Sequence, residues 1–236
     1  MTPPVRSRPE EIREMFDAIA PTYDLLNHLL SFGLDIRWRK KAIALLEEKR
    51  NGAILDIATG SGDLALDALS LQPRMLVATD FAFNMLNVFQ QKVEQRGIRQ
   101  APLLVSCDAM NLPFKDESFD ATMVAFGIRN FADRLQSLKE MHRVLTPGGI
   151  SLILELTAPH APIIKLGYSF YAKGLLPLFG KLISRHNSAY KYLPSSITNF
   201  PQQEEFAALM SEAGFTDVNF HLLSFGVATI FIGRKK

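Results

Sequence analysis

Two carboxylates, Asp56 and Asp63, bracket a glycine turn in the stretch Ile54-Leu55-Asp56-Ile57-Ala58-Thr59-Gly60-Ser61-Gly62-Asp63. The apolar run before the turn reads as a buried parallel strand, and a helix is expected directly after it. Gly60 and Gly62 let backbone pass close to a ligand, and the helix N-terminus that follows is where a nucleotide phosphate ordinarily binds. Here a pyrophosphate would be repelled by both acids, whereas a ligand with a positive end would be attracted. That asymmetry favours S-adenosylmethionine, with its sulfonium and ammonium, over NAD.

Other acids extend the pattern. Asp80 ends the second apolar run, eighteen residues after Gly62, where a carboxylate can accept both ribose hydroxyls. Asp108-Ala109 follows the third, where a carboxylate and a backbone N–H can read an adenine edge. Each also has a plainer role: a helix N-cap for Asp80, a turn residue for Asp108, a helix cap for Asp63. NAD stays open, because Gly60, Gly62 and Ala65 satisfy a relaxed G-x-G-x-x-A with an acid near the expected distance. The fourth run leads into Phe126-Gly127-Ile128-Arg129-Asn130, which would set Arg129 and Asn130 beside a bound sulfonium. The plainer alternative for Arg129 is a structural ion pair. Cys107 reads as a small buried residue. The Asp-Pro-Pro-Tyr type of motif carried by nucleic-acid amino methyltransferases is absent.

These residues need a scaffold. Strands are expected at Ala53–Ala58, Met75–Asp80, Leu103–Cys107, Phe119–Phe126 and Ile150–Leu156, with helices near Asp63–Leu71, Phe83–Arg96 and Asp133–Leu145, the last stopped by Pro147-Gly148-Gly149. Such alternation is that of a doubly wound α/β parallel sheet, whose ligands bind at the carboxyl ends of the strands. Before it lie three helical stretches: one from Pro9 to Pro21, one carrying Leu25, Leu26, Leu29 and Leu30, and one from Asp35 to Lys49. After it, a helix from Gln202 to Ala213 precedes strands at Asp217–Phe225 and Val227–Gly233. These last two are too close for a crossover helix and should pair as an antiparallel edge hairpin. The stretch between Leu156 and Gln203 has no Asp or Glu but five basic residues and seven aromatics, and reads as an inserted cap.

The 236 residues, 47% hydrophobic and 21% charged, suffice for a sizeable core. A net charge of +2 argues for no particular partner. One cysteine excludes an internal disulfide and fits a reducing compartment. Neither a secretory signal nor an apolar run of membrane-spanning length is visible. A cytoplasmic protein is expected, with room for contact at a membrane surface.

The chain resembles the UbiE/MenG family of quinone C-methyltransferases nearly end to end. The resemblance is carried by Tyr23-Asp24-Leu25-Leu26-Asn27-His28-Leu29-Leu30-Ser31-Phe32-Gly33 with Trp38, by Arg143–Gly149 with Glu155, by Phe126–Asn130, and by Tyr190–Leu193 with Ser196-Ile197. The chain departs from the family pattern at Asp35 and Phe231, where His is usual, and at Ala125, where Ser is usual. The resemblance implies a class I S-adenosylmethionine-dependent methyltransferase fold: a Rossmann-like, mostly parallel seven-stranded sheet with an antiparallel C-terminal hairpin. It divides the chain into a helical segment (1–50), a cofactor-binding core (51–156), a substrate cap (157–203) and a C-terminal helix and hairpin (204–236).

By resemblance, Ser61, Asp80, Asp108 and Ala109 contact the cofactor, joining Asp56, Gly60 and Gly62 of the turn. The expected reaction is methylation of a ring carbon of a demethyl-quinol. Arg129 would stabilise the phenolate, with Asn130 and Tyr23 orienting the hydroxyl, and the base would be a held water, Asp24 or His28. Packing and capping are the plainer roles for Tyr23 and Asp24. A prenylated quinol is the expected substrate; no metal and no nucleic acid are expected, and a homodimer is left open. Competing readings are another class I methyltransferase acting on a lipid or small molecule, an NAD(P) oxidoreductase, and a non-enzymatic cofactor-binding subunit.

Overall fold

Side-chain parity along the first strand sets the layering. In the computed structural model, which describes residues 9–159 and 187–236, β1 (Ala53–Ile57) is buried at every residue. Ile54 enters one core with Trp38, Leu64 and Phe89, while Leu55 and Ile57 enter a second with Leu138, Met141 and Phe206. A strand covered on both faces has no position for water, which is why its sequence is a near-continuous apolar run.

β1 lies between β2 (Met75–Asp80) and β4 (Phe119–Ala125), and the seven-stranded sheet is completed by β3 (Leu103–Ser106), β5 (Leu145–Leu156), β6 (Thr216–Leu223) and β7 (Ala228–Arg234) in the order β3-β2-β1-β4-β5-β7-β6. The first five strands pair in parallel, and β7 is antiparallel to both β5 and β6. The direction of winding reverses at β1 and β4, so a crevice opens at their carboxyl ends.

The helices are α1 (Pro9–Ile19), α2 (Tyr23–Leu30), α3 (Leu34–Ala44), α4 (Asp63–Ala68), α5 (Phe83–Gln95), α6 (Arg134–Val144), α7 (Asn187–Thr198) and α8 (Gln203–Glu212). Side chains of α3, α4 and α5 fill the first core, and those of α6 and α8 the second. Ile19, the last residue of α1, and Ala20 just past it pack on Ala82 and Met85, while Asp17 accepts the Asn84 N–H at 2.8 Å, in the first turn of α5. The N-terminal helices are thereby seated over the carboxyl ends of the strands.

Several expected boundaries move by up to three residues, as where the helix expected to reach Leu71 ends at Ala68, and two move further. The third helix stops at Ala44 rather than Lys49, because Leu45 and Leu46 donate to the carbonyls three residues back, tightening the chain into a 3-10 turn. The Pro147-Gly148-Gly149 stop lies beyond the end of α6. Leu145 already pairs with Phe119, the register then shifts so that Ala121 meets Ile150, and Gly148 and Gly149 exchange backbone bonds with Lys235. The triplet is an irregularity inside β5. Most of the cap expected at 157–203 lies outside the described residues; within them, α7 and the segment up to Phe200 follow Asn187.

Candidate functional site

β1 and β4 end side by side, and both leave the sheet on strained backbone. Ala58 and Phe126 have φ of 53° and 57°, in the left-handed region that non-glycine residues seldom adopt. The two segments pass so closely that a Cβ on Gly127 would lie 2.8 Å from that of Ala58. At Gly62 φ is +85° and a Cβ would meet the Phe89 ring at 2.1 Å, so glycine is required there by both conformation and space.

Asp80 ties the turn to the next strand. Its two oxygens accept the backbone N–H groups of Gly60 and Ala82, each at 2.8 Å. Burial pushes this carboxyl up to about 6, against those two hydrogen bonds and with the Asp17 carboxylate adding to the rise. Asp56 is more enclosed. Its Oδ2 accepts from the Thr59 hydroxyl at 2.5 Å, while its Oδ1 is buried with no partner. Burial, with Asp80 beside it, pushes Asp56 up to about 7. A buried carboxylate oxygen lacking a donor is costly unless a ligand supplies one, and a cationic ligand suits both acids.

Asp63 does not play the part its sequence position suggested. It is paired with Lys92 at 2.8 Å and Arg39 at 3.3 Å, so it is not free to meet a cation. Lys92 also pairs with Asp24, which accepts from the Ser61 hydroxyl. Arg39 reaches Asp35 at 2.7 Å and Asp67 at 2.9 Å. Asp35, buried where the family usually has His, further accepts from Ser31 at 2.5 Å and lies 2.7 Å from His28 Nδ1. The network binds the N-terminal helices to the glycine turn, and its acids outnumber its two permanent cations. A negative field beside the turn therefore survives, carried by the cluster rather than by Asp63 alone.

Across the turn, Arg129 is buried and paired. Its guanidinium donates to Glu155 Oε1 at 2.7 Å and to the Phe126 carbonyl, and its backbone N–H donates to Glu155 Oε2 at 3.1 Å. The ion pair posed as the plainer alternative is thus present. Arg129 nevertheless lines a cavity, and its Nε–H has no partner. Asn130 Oδ1 accepts from the Tyr192 hydroxyl at 2.9 Å, which turns the amide nitrogen away from Tyr192. Burial raises the Tyr23 phenol above its usual range, opposed by the Arg129 guanidinium.

Two cavities open at this edge. One, of about 830 Å³, is lined by Asp80, Phe81, Met85, Asp108, Ala109 and Asn130 among others. The second, of about 1030 Å³, is lined by polar Asp56, Ser61 and Arg129 and by apolar Trp38, Leu193 and Ile197 among others. Tyr23, Ala58, Gly60, Ala125 and Phe126 line both. Asp108 accepts the Met110 N–H at 2.9 Å, so it is a turn residue and a cavity wall at once. Cys107 also lines the first cavity, and burial lifts its thiol to about 11, leaving it protonated. Phe231 packs among Phe200, Phe206 and Phe220.

Of the residues singled out in the sequence, Tyr23, Gly60, Ser61, Asp56, Asp80, Asp108, Ala109, Arg129 and Asn130 all line one or both cavities. Gly62 shapes the turn from behind, and Asp24 holds Ser61 and Lys92. Sequence reasoning missed Lys92, Arg39 and Arg134. Tyr192 and Glu155 stood inside recognised motifs, but only as unassigned members. The orphaned Asp56 oxygen, the acidic field and the two adjoining cavities of mixed lining fit S-adenosylmethionine.

The ubiE/COQ5 methyltransferase family model matches residues 5–235. The chain is 46% identical over 227 residues to a demethylmenaquinone methyltransferase of Bacteroides fragilis, covering 96% of this chain and 93% of that one. It is 45% identical over 228 residues to the ubiquinone/menaquinone biosynthesis C-methyltransferase UbiE of Geotalea daltonii, covering 96% and 97%. Among solved structures, a SAM-dependent methyltransferase from Thermotoga maritima superposes with a TM-score of 0.67 at 19% identity, covering 94% of this chain and 99% of that one. At that identity the likeness speaks for the fold.

Proposed function

The chain belongs to the ubiE/COQ5 methyltransferase family, and we propose that its acceptor is a demethylmenaquinol, methylated at a ring carbon to give menaquinol. The protein is an S-adenosylmethionine-dependent C-methyltransferase of quinone biosynthesis. One observation carries the assignment of sites: the two cavities share a wall at Tyr23, Ala58, Gly60, Ala125 and Phe126. A cofactor reaching from Asp80 and Asp108 toward Asp56 would meet, at that wall, a ring held between Arg129 and Trp38.

S-adenosylmethionine, when bound, supplies an electrophilic methyl group on a sulfonium. The chain's task is to make the acceptor carbon nucleophilic. A phenol-type hydroxyl titrates near ~10, so its ionisation needs help near neutral pH. Arg129 stabilises the phenolate oxygen, and the Asn130 amide and the Tyr23 hydroxyl orient it. Arg129 stays protonated and is not the base. Asp24, already engaged by Lys92 and Ser61, orders the glycine turn, and His28 is held on Asp35 and lines neither cavity, which leaves a water held by Tyr23 and Asn130 to take the proton. Trp38, Leu193 and Ile197 exclude bulk water, favouring a step in which opposite charges annihilate.

Methyl transfer from labelled S-adenosylmethionine to demethylmenaquinol and to a demethylated benzoquinol tests the reading. Faster transfer to the naphthoquinol is expected. The reverse order would move the acceptor, and no transfer to either would sink the quinol assignment. The reading also includes peripheral contact with a membrane surface from the cytoplasm, since a prenylated acceptor resides there. It is supported by the acid-free stretch after Leu156, and none of the described helices is long and apolar enough to cross a membrane. Flotation with anionic liposomes is expected to carry the protein upward at low salt; no association at any salt would remove that contact.

A further inference from the structure

Arg129 and Arg134 stand five residues apart and have one carboxylate between them. Glu155, fully buried, is taken by Arg129. Arg134 donates through Nη2 to the Arg129 carbonyl at 2.9 Å and lies over the Phe200 ring at 5.5 Å. Among the described residues it has no acidic partner within ion-pair distance, and the Nε–H groups of both arginines are buried without an acceptor. The remaining residues, 1–8 and 160–186, contain no Asp or Glu, so the balancing carboxylate cannot come from them. Burial pulls the Arg134 guanidinium below its usual range, with Glu155 and Tyr192 opposing. Arg134 is itself half-buried; a partly desolvated cation without a counter-ion is costly in a folded protein, and orphaned donors ask for an acceptor.

We infer that Arg134 is a positioning residue of the methyl-transfer site: with Arg129 and Glu155 it leaves one positive charge in excess behind the second cavity, matched to the oxyanion of an ionised phenolic acceptor. The inference rests on the quinol reading for the nature of that acceptor. Arg134 lines neither cavity, and acts by holding the Arg129 backbone and by its charge. The other charged or titratable groups around the pair are Glu155 on β5, Tyr23 on α2 and Tyr192 on α7, with Asp80 on β2 acting on Tyr23. With both tyrosines raised and neutral, Glu155 is the anion held against the pair itself; Asp35, Asp56 and Asp63 line the same cavity, the first and last paired with Arg39 and Asp56 within the proposed cofactor site.

The test follows the ionisation of 2-naphthol by its absorbance, bound to full-length protein in the presence of S-adenosylhomocysteine. Wild type should ionise bound naphthol roughly one pH unit or more below its free value, the size of a charge acting across about 10 Å of protein. Arg134→Gln should lose most of that shift while still binding S-adenosylhomocysteine, and Arg134→Lys, which keeps the charge, should retain it. Arg134→Met, which preserves packing on Phe200, serves if the Gln variant does not fold. Equal ionisation in wild type and a folded neutral variant would overturn the inference and leave the quinol reading standing. A wild type that binds S-adenosylhomocysteine but no naphthol would sink both.

Discussion

Glu155 holds Arg129 at two points, Oε1 on the guanidinium at 2.7 Å and Oε2 on the backbone N–H at 3.1 Å. One buried carboxylate thus fixes both the direction of the side chain and the turn that carries it. Removing the carboxylate strands a buried cation. Glu155→Ala should cost about 3–5 kcal/mol and lower the melting temperature markedly, with Glu155→Gln intermediate. A melt unchanged from wild type would show that Arg129 has another anchor.

Arg129→Lys keeps the charge opposite Glu155 but gives up the planar fork and the orphaned Nε–H. Turnover should fall by about 10²-fold, the usual scale for loss of an oxyanion donor, with little change in S-adenosylhomocysteine affinity by calorimetry. Unaltered turnover would take Arg129 out of the chemistry.

Asp56 and Asp80 are pushed up to about 7 and about 6. These two carboxyls therefore bind more protons in the native cofactor-free protein than in the unfolded chain between about pH 4 and 7, and their contribution to stability should decline as pH rises through that window. A cationic ligand favours the ionised carboxylates, so affinity for S-adenosylmethionine should rise over the same interval. Melting temperatures with and without cofactor from pH 5 to 8 read both slopes. Asp56→Asn should flatten the upper part, and parallel curves for wild type and variant would remove Asp56 as the source.

Gly62→Ala must place a methyl group into the Phe89 ring at a φ of +85°. A loss of about 2–4 kcal/mol is expected from strain and overpacking together. Gly148→Ala, at a φ of +76° with nothing within 4 Å, should cost only about 1–2 kcal/mol. Denaturant titrations of the two variants compare them directly; equal losses would mean that the ring moves aside freely.

Tyr192→Phe removes the hydroxyl that orients Asn130 and leaves the ring. At about 1 kcal/mol for one hydrogen bond, kcat should drop about fivefold with the fold intact. An unchanged kcat would show that the Asn130 amide is oriented by other contacts.

Much of the architecture was legible in the chain. The near-continuous apolar run through Ala53, Ile54, Leu55 and Ile57 marks a strand covered on both faces, and the short link across Gly226 allows only a hairpin. The glycine turn, Asp80 and Asp108 fall at strand ends by spacing alone. Tyr192 and Glu155 were visible as motif members, but a motif does not say what its members touch. Arg134 carried no local signal, since its importance lies in lacking a carboxylate.

The succession of strands and helices along the chain, the residue types at the strands' carboxyl ends and the acid-free composition after Leu156 follow from the sequence, because periodicity and spacing are properties of neighbouring residues. Which charges remain free was decided only in three dimensions. Asp63 is satisfied by Lys92 from α5 and Arg39 from α3, and Arg129 by Glu155, which the parallel pairing of β4 with β5 brings alongside. Electrostatic and hydrogen-bond energies depend on separations of a few ångströms between residues distant in the chain, and only packing sets those separations.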